Sequence, residues 1–391
     1  MTSFPAGGLR ILFLALDLRL EEDEAESIHV KEVARGIAGL GHHVRLLVSA
    51  QSDWAGRGEP SGLSISGVGG GSSLRELARV LQEAKAFRPN VIYERRFLPK
   101  VSAAVGMLLR IPSIVEINGL VDEEVSLQGR KLKSFVPSTL RTEVFAGLFS
   151  RMSAVVAVTD GLADAMVRTY GVARGRVVVI GNAANTRLFH PMDKEGCRRS
   201  LGLAGHRYWI CFEGGLYPWH DVPLFLQATR LLVDQGIDLV ALIVGDGPSR
   251  KEFEAVALKL DLGDRARFIG RVPYERVAEY IGASDVGVGA FTRERNERIG
   301  ISPIKVFEYV ACGRPVVVSC LPGIAEWVDR EHVGRLARAG DPDHMARTLR
   351  ETLEDRVLQA DVSKRGPEVV AREHDWMAVA TRVAALCGRV A

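Results

Sequence analysis

Gly300-Ile301-Ser302-Pro303-Ile304-Lys305-Val306-Phe307-Glu308-Tyr309-Val310-Ala311-Cys312-Gly313-Arg314-Pro315-Val316-Val317 reads as a loop, a short helix and a buried strand in immediate succession. Proline suits the first position of a helix, where its missing N–H costs nothing, and glycine suits the residue that ends one, so the helix is bounded by Pro303 and Gly313. The strand from Pro315 to Ser319 is continuously apolar, as a strand covered on both faces of a parallel sheet must be. Backbone N–H groups left free at Gly300 to Ser302 would hold a diphosphate. Glu308 is a carboxylate among apolar neighbours, and its burial is costly unless it accepts hydrogen bonds. Two ribose hydroxyls would be suitable donors; a structural ion pair with an arginine is the alternative.

The same alternation extends in both directions. The chain opens with the apolar run Leu9 to Leu16, an acidic loop, apolar positions Ile28, Val33, Ile37 and Leu40 at helical spacing, then Val44 to Val48. Strand, helix, strand is the unit of a parallel sheet. Further strands are predicted at Val91 to Glu94, Ser113 to Ile117, Val155 to Val158 and Val177 to Ile180. A second series follows at Tyr208 to Phe212, Leu239 to Val244, Ala266 to Ile269 and Val286 to Gly289. Two such series predict an α/β protein with two doubly wound parallel sheets, residues 1–185 and 186–371, whose strand ends face each other across a cleft. Arg372 to Ala391 reads as a final helix with one apolar face. Trp54 to Ser73, rich in Gly and Ser, reads as an exposed connection, and Gly69 to Gly71 lacks the Gly-Lys-Ser/Thr ending of a phosphate loop.

Three more loops follow predicted strands, where open parallel sheets bind ligands. Gly214-Gly215-Leu216-Tyr217-Pro218-Trp219-His220-Asp221 pairs two glycines with a helix start near Pro223. Gly245-Asp246-Gly247-Pro248 is a strand, turn, helix junction. Gly270-Arg271-Val272-Pro273 would present backbone groups to the edge of a planar base.

Composition narrows the function. With 51 basic and 48 acidic side chains in 391 residues, the net charge of +3 does not favour a partner held by phosphate-backbone charge, so no nucleic acid is expected. No apolar run reaches the length of a spanning helix, and the first residues carry no secretion signal, so the expected location is the cytoplasm. The five cysteines form no CxxC pair, which argues against a zinc knuckle.

Taken in order, Ile28-His29-Val30 before Gly41-His42-His43-Val44, then Val156 to Thr159, Val179 to Asn182, Gly214 to Asp221, Gly245 to Pro248, Phe268 to Gly270 and Phe307-Glu308-Tyr309 resemble the glycosyltransferases of family 4. The resemblance covers nearly the whole chain. It implies the GT-B fold of two Rossmann-like domains, the second binding a nucleotide sugar, the first binding the acceptor, and the last helix crossing back to the first. It implies retaining, metal-independent transfer from a UDP- or GDP-linked sugar, with no cofactor beyond that substrate. It further implies that Glu308 binds ribose, that Arg271 and Val272 meet the base, and that Gly300, Ile301 and Ser302 approach the diphosphate and sugar; Gly214, Gly215 and Gly245 belong to the donor-side loops.

Departures from the family pattern bear on mechanism. The first of two glutamates separated by seven residues falls at Gly300, and an arginine and a lysine on the diphosphate fall at Gly215 and His220, so positive charge would come from His220 or Lys305. Glu24-Ala25-Glu26 stands where paired glycines are common, which disfavours a closely bound anionic acceptor. A histidine facing the transferred sugar falls at Asn118, an amide unable to act as acid or base near pH 7. Glu116 and Glu94, at strand ends, are then the carboxylate candidates for catalysis, or else surface charges. Asp341-Pro342-Asp343 reads as a helix cap and not a metal site. These departures leave open a nucleotide-sugar-binding subunit with impaired catalysis. A dinucleotide oxidoreductase lacks its GxGxxG after the first strand. The acceptor hydroxyl, the oligomeric state and the pathway, whether polysaccharide, cell envelope or glycoconjugate, are not legible. Arg130, Lys131, Lys133 and Arg141 beside Leu132, Phe135, Val136 and Leu140 would suit peripheral contact with an anionic membrane, or a plain solvated helix.

Overall fold

The computed structural model describes residues 8–20, 24–50, 59–68, 73–120, 138–203, 207–294 and 296–391. The chain divides into two compact units, residues 1–181 with 376–391, and residues 182–375.

Unit 1 runs β1 (Arg10–Ala15), α1 (Ala25–Gly39), β2 (His43–Val48), β3 (Leu63–Gly67), α2 (Ser73–Phe87), β4 (Val91–Arg95) and α3 (Lys100–Leu109). It continues with β5 (Ser113–Ile117), α4 (Ser138–Phe149), β6 (Ala154–Ala157), α5 (Asp160–Tyr170) and β7 (Val177–Val179). The strands form one parallel sheet in the order β3-β2-β1-β4-β5-β6-β7. Every residue of β4 and β5 is buried, the charged Glu94, Arg95 and Glu116 included. β3 corrects the reading of Trp54 to Ser73 as a plain connection: Leu63-Ser64-Ile65-Ser66-Gly67 pairs with β2 as the sheet edge, half exposed, so its apolar signal is diluted. The final helix, α15 (Trp376–Val390), packs on α1. The two helices meet where a Cβ on Gly36 would lie 2.4 Å from Ala380 Cβ, so only glycine permits the approach.

Unit 2 runs α6 (Lys194–Ser200), β8 (Tyr208–Glu213), α7 (Val222–Asp234), β9 (Leu239–Val244), α8 (Arg250–Lys259), β10 (Ala266–Gly270), α9 (Tyr274–Ala283) and β11 (Val286–Gly289). Then come α10 (Asn296–Ile299), α11 (Ile304–Ala311), β12 (Val316–Ser319), α12 (Ile324–Glu331), β13 (Gly334–Ala337), α13 (Pro342–Glu354) and α14 (Arg356–Glu373). Its parallel sheet is ordered β10-β9-β8-β11-β12-β13. Pro303 stands at the N-cap of α11, and Gly313, at φ +70°, follows its C-cap. Asp341 caps α13, accepting the His344 N–H at 2.9 Å. In both sheets the order reverses beside the first strand, between β1 and β4 and between β8 and β11. Open parallel sheets bind ligands at such a reversal, at the carboxyl ends of the strands. No helix among the described residues is long and apolar enough to cross a membrane.

Candidate functional site

In unit 2 the reversal point is bounded by the end of β8, and α11 supplies its charged side chains. Lys305 and Glu308 are both buried, at 7% and 2% exposure. The Lys305 ammonium has no hydrogen-bond partner. It lies 4.1 Å from the centre of the Phe212 ring and 5.7 Å from that of Phe291, a cation held by aromatic faces. A Cβ on Gly214 would come within 2.9 Å of Lys305 Nζ, so the missing side chain is what lets the ammonium reach the turn. Burial lowers the Lys305 pKa to about 8, against the opposing pull of Glu213 and Glu308.

Glu308 is not paired with an arginine. Its Oε1 accepts the Tyr274 hydroxyl at 2.6 Å, and the Glu213 carboxyl is its acidic neighbour. Burial raises the pKa of both acids. Glu213, the last residue of β8, also has an oxygen without a partner, and its N–H is given to Tyr309 Oη at 2.8 Å. Glu213, Tyr274 and Tyr309 were not singled out from the sequence. The available signal was an acid closing the apolar run Tyr208 to Phe212.

The glycines of the neighbouring loops pack backbone on backbone. Gly245, at φ +130°, gives its N–H to Gly270 O at 2.8 Å, and a Cβ there would lie 2.1 Å from Gly214 O. Gly215 is required by Tyr217, whose ring would stand 2.5 Å from a Cβ and which stacks on Trp219 at 4.6 Å. His220 Nδ1 lies 2.5 Å from Gly215 O, and the ring sits edge-on to Phe212 and Phe291. That nitrogen closes the turn. Arg271 is exposed after β10, while Val272 packs on the core beneath.

The expectation of free N–H groups at Gly300 to Ser302 is corrected. Gly300 N–H goes to Asn296 O at 3.0 Å and Ile301 N–H to Pro322 O at 2.9 Å. Ser302 Oγ accepts the Asn182 N–H at 2.9 Å, and Ser302 O accepts Asn182 Nδ2 at 2.6 Å. A loop turned back by Gly300, at φ +72°, thus spends the N–H groups of Gly300 and Ile301 within the protein.

In unit 1 the reversal point holds a shallow pocket lined by Asp17, Glu26, Arg95, Arg96, Phe97 and Asn118. Glu94 and Glu116, weighed as surface charges, are fully buried. Glu116 sits 2.8 Å from His29 Nε2 and 3.6 Å from Arg95 Nε, and accepts the Tyr93 hydroxyl at 2.6 Å. Burial would raise its pKa, yet His29, Arg95 and Tyr93 together bring it down to about 2. Its oxygens are thereby engaged inside the protein. Glu94 accepts the N–H of Ser102 at 3.1 Å and the Ser102 hydroxyl, and burial pushes its pKa up to about 7. Asn118, with its amide oxygen turned to the Arg95 guanidinium, borders the pocket. The basic segment at Arg130, Lys131 and Lys133, with the side chain of Arg141, lies outside the described residues.

Two parallel sheets with the same strand reversal, one bearing a buried lysine and two acids beneath a glycine turn, define a GT-B protein. Residues 27–188 match the description Glycosyltransferase Family 4 and residues 193–369 match Glycosyl transferases group 1. The chain belongs to glycosyltransferase family 4. It is 29% identical over 245 residues to D-inositol 3-phosphate glycosyltransferase 2 of Catenulispora acidiphila, covering 60% of this chain and 56% of that one. It is 27% identical over 225 residues to 2-deoxystreptamine glucosyltransferase of Streptomyces kanamyceticus, covering 55% of each. The chain thus spans about half the length of the curated relatives it matches. Among solved structures, HepE of Anabaena in complex with UDP and glucose superposes with a TM-score of 0.77 at 19% identity, over 97% of this chain and 100% of that one.

Proposed function

We propose that the protein is a retaining glycosyltransferase that moves a sugar from a nucleoside diphosphate sugar to an acceptor hydroxyl, in polysaccharide, cell-envelope or glycoconjugate biosynthesis. The observation that carries the reading is Lys305: a buried ammonium without a partner, beneath a turn of two glycines, is a cation waiting for an anion. Burial without a hydrogen bond is costly, the neighbouring Glu213 and Glu308 offset it only in part, and a diphosphate would satisfy it. In this reading Glu308 takes the ribose hydroxyls, the backbone of Arg271 and Val272 meets the base, and Lys305 supplies the charge that Gly215 lacks. His220 shapes the turn. The first turn of α7 adds the partial positive charge of a helix start, so the leaving diphosphate is stabilised without a metal ion.

The pocket of unit 1 is the acceptor side. Its lining mixes two arginines, two acids and the Asn118 amide, a set suited to a molecule carrying many hydroxyls. The names of the two curated relatives point to cyclitol acceptors, an inositol phosphate and 2-deoxystreptamine. Incubation with UDP-, GDP- and dTDP-sugars, with a panel of cyclitols and monosaccharides, tests the reading. Transfer with retention at the anomeric carbon is expected. Failure of every nucleotide to bind below millimolar concentration overturns it, and binding without turnover would favour the impaired-subunit alternative.

A further inference from the structure

Two arginines line the pocket of unit 1, and their partners decide which charge that pocket offers a ligand. Arg96 Nη1 donates to Glu76 Oε1 at 2.8 Å, and Arg96 Nε lies 3.9 Å from Asp17 Oδ2. Arg95, which is buried, has its Nε 3.6 Å from Glu116 Oε1 and donates to the amide oxygen of Asn118. Glu76 and Glu116 are not part of the lining, so each guanidinium is offset by an acid that a ligand would not meet. Two cations are thus set against four carboxylates, those of Asp17, Glu26, Glu76 and Glu116, and the balance is negative. Glu94, fully buried on the strand that carries Arg95, has an oxygen without a hydrogen bond, which adds a demand for a donor.

The place where an anion would otherwise be held is closed as well. Glu26 belongs to the first turn of α1, and Glu24 is its N-cap. The free N–H groups and partial positive charge of a helix start would attract a phosphate, but here two carboxylates of the chain already stand there. By sequence the stretch from Asp17 to Glu26 carries six acids against Arg19 alone. Phe97 adds an aromatic ring to the lining, and such a ring attracts a cation over its face.

We propose that the acceptor is a cation: a polyhydroxylated molecule bearing a protonated amine, held by Asp17 and Glu26 while one of its hydroxyls takes the sugar. The inference rests on reading unit 1 as the acceptor side. The amine stays protonated and does not react. The hydroxyl oxygen bonds to the anomeric carbon as the bond from that carbon to the diphosphate breaks, and the hydroxyl proton leaves with the nucleoside diphosphate.

Three acceptors of one shape test the charge: myo-inositol, its monophosphate, and the inosamine in which an amine replaces one hydroxyl. Initial rates with UDP- and GDP-sugars are compared for the wild type, Asp17→Asn and Glu26→Gln. Both positions are exposed, so the variants keep the fold. In the wild type, kcat/KM for the inosamine is expected to exceed that for inositol by about fivefold, with the phosphate lowest. Each variant removes one charge and keeps the shape, so the ratio of inosamine to inositol should fall by about two- to fivefold, through KM. A wild type that uses inositol or its phosphate as well as the inosamine overturns the proposal, and so does a ratio that neither variant moves. Where none of the three receives a sugar, calorimetric titration of each into the protein with UDP decides: binding of the inosamine alone, weakened in the variants, supports the proposal, and any other order overturns it. Failure of both UDP and GDP to bind overturns the functional reading as a whole, whereas nucleotide binding with the opposite charge preference overturns this inference alone.

Discussion

The two sheets run outward from their first strand in the same order and each unit buries acids, yet the two clusters are built in opposite senses. Around Glu116 the carboxyl is surrounded by groups of the protein: His29 at 2.8 Å, Tyr93 at 2.6 Å and Arg95 at 3.6 Å. The carboxyl is ionised down to about pH 2. Around Glu308 two acids press on each other, Lys305 has no partner, and burial pushes acids up and the lysine down. A cluster complete in itself fixes the fold; one left incomplete is finished by a ligand. The comparison separates stability from binding, and each of the following substitutions is expected to move one and spare the other.

The largest effect belongs to Glu116→Ala, which leaves the Arg95 guanidinium buried without its anion and His29 and Tyr93 without their acceptor. Removing one partner of a buried pair costs about 3 to 5 kcal/mol, so the melting temperature of the protein should fall steeply. The pH dependence has a definite sign. The folded pKa of Glu116 is about 2, below the roughly 4.3 of an unfolded glutamate, so its contribution is present above that value and is lost as pH falls from about 4.3 towards 2. Acid unfolding of the variant should lack that component. Unchanged acid and thermal midpoints would break the comparison on the unit 1 side.

Next comes Glu308→Ala. Hydrogen bonds to a charged group are worth roughly 1.5 to 3 kcal/mol, a loss of about ten- to more than a hundredfold in UDP or GDP affinity by calorimetry. Glu308→Gln keeps the shape and should lose less. Because the acid pair is frustrated in the free protein, neither variant should melt appreciably lower without ligand. A folded Glu308→Ala that binds nucleotide as the wild type does removes Glu308 from the ribose site.

Lys305→Met carries the contrast into a single residue. Its folded pKa of about 8 lies below the roughly 10.4 of an unfolded lysine, so the ammonium's burial penalty is fully present below pH 8 and is relieved as pH rises towards 10.4. The free wild type should therefore gain stability from this group across that interval while losing affinity for nucleoside diphosphates. The methionine variant should show neither trend, melt no lower at pH 7, and bind UDP about tenfold more weakly. A variant that melts lower and binds normally would make Lys305 a structural residue.

The sequence made the architecture legible where strands are covered on both faces: Leu239–Val244 is apolar throughout, Ser113–Ile117 keeps an apolar run around Ser113 and Glu116, and both were read to the residue. Of the four edge strands it marked β7 and β10 and missed the other two. β3 and β13 face a partner on one side only, so Ser64 and Arg335 interrupt them. In the site, Glu308 and Lys305 were legible because a charge on an apolar helix must be accounted for. Glu213 was not, because an acid at the end of a strand looks like the start of a solvent loop. Ile301 was misjudged for another reason: the acceptor of its N–H, Pro322 O, lies beyond the following helix and strand, outside any local pattern.

The smallest effects come from a matched pair. Tyr93 and Tyr274 each donate a hydroxyl to a glutamate at 2.6 Å, one in each cluster, and each ring packs on a phenylalanine, Phe13 at 5.0 Å and Phe189 at 5.2 Å. Replacing either by Phe removes one hydroxyl and keeps the ring, so packing is held constant and only the hydrogen bond is lost, at about 1 to 2 kcal/mol. Tyr93→Phe should spend that loss on stability, lowering the midpoint of denaturant unfolding without changing UDP affinity, because Glu116 serves the fold. Tyr274→Phe should spend it on binding. Without the hydroxyl, Glu308 is harder to ionise, and the carboxylate that ribose needs forms less readily, so UDP affinity should drop by about five- to thirtyfold while the unfolding midpoint of the free protein stays in place. If both variants lower stability alike and leave affinity alone, the two clusters are of one kind, and the distinction between them fails.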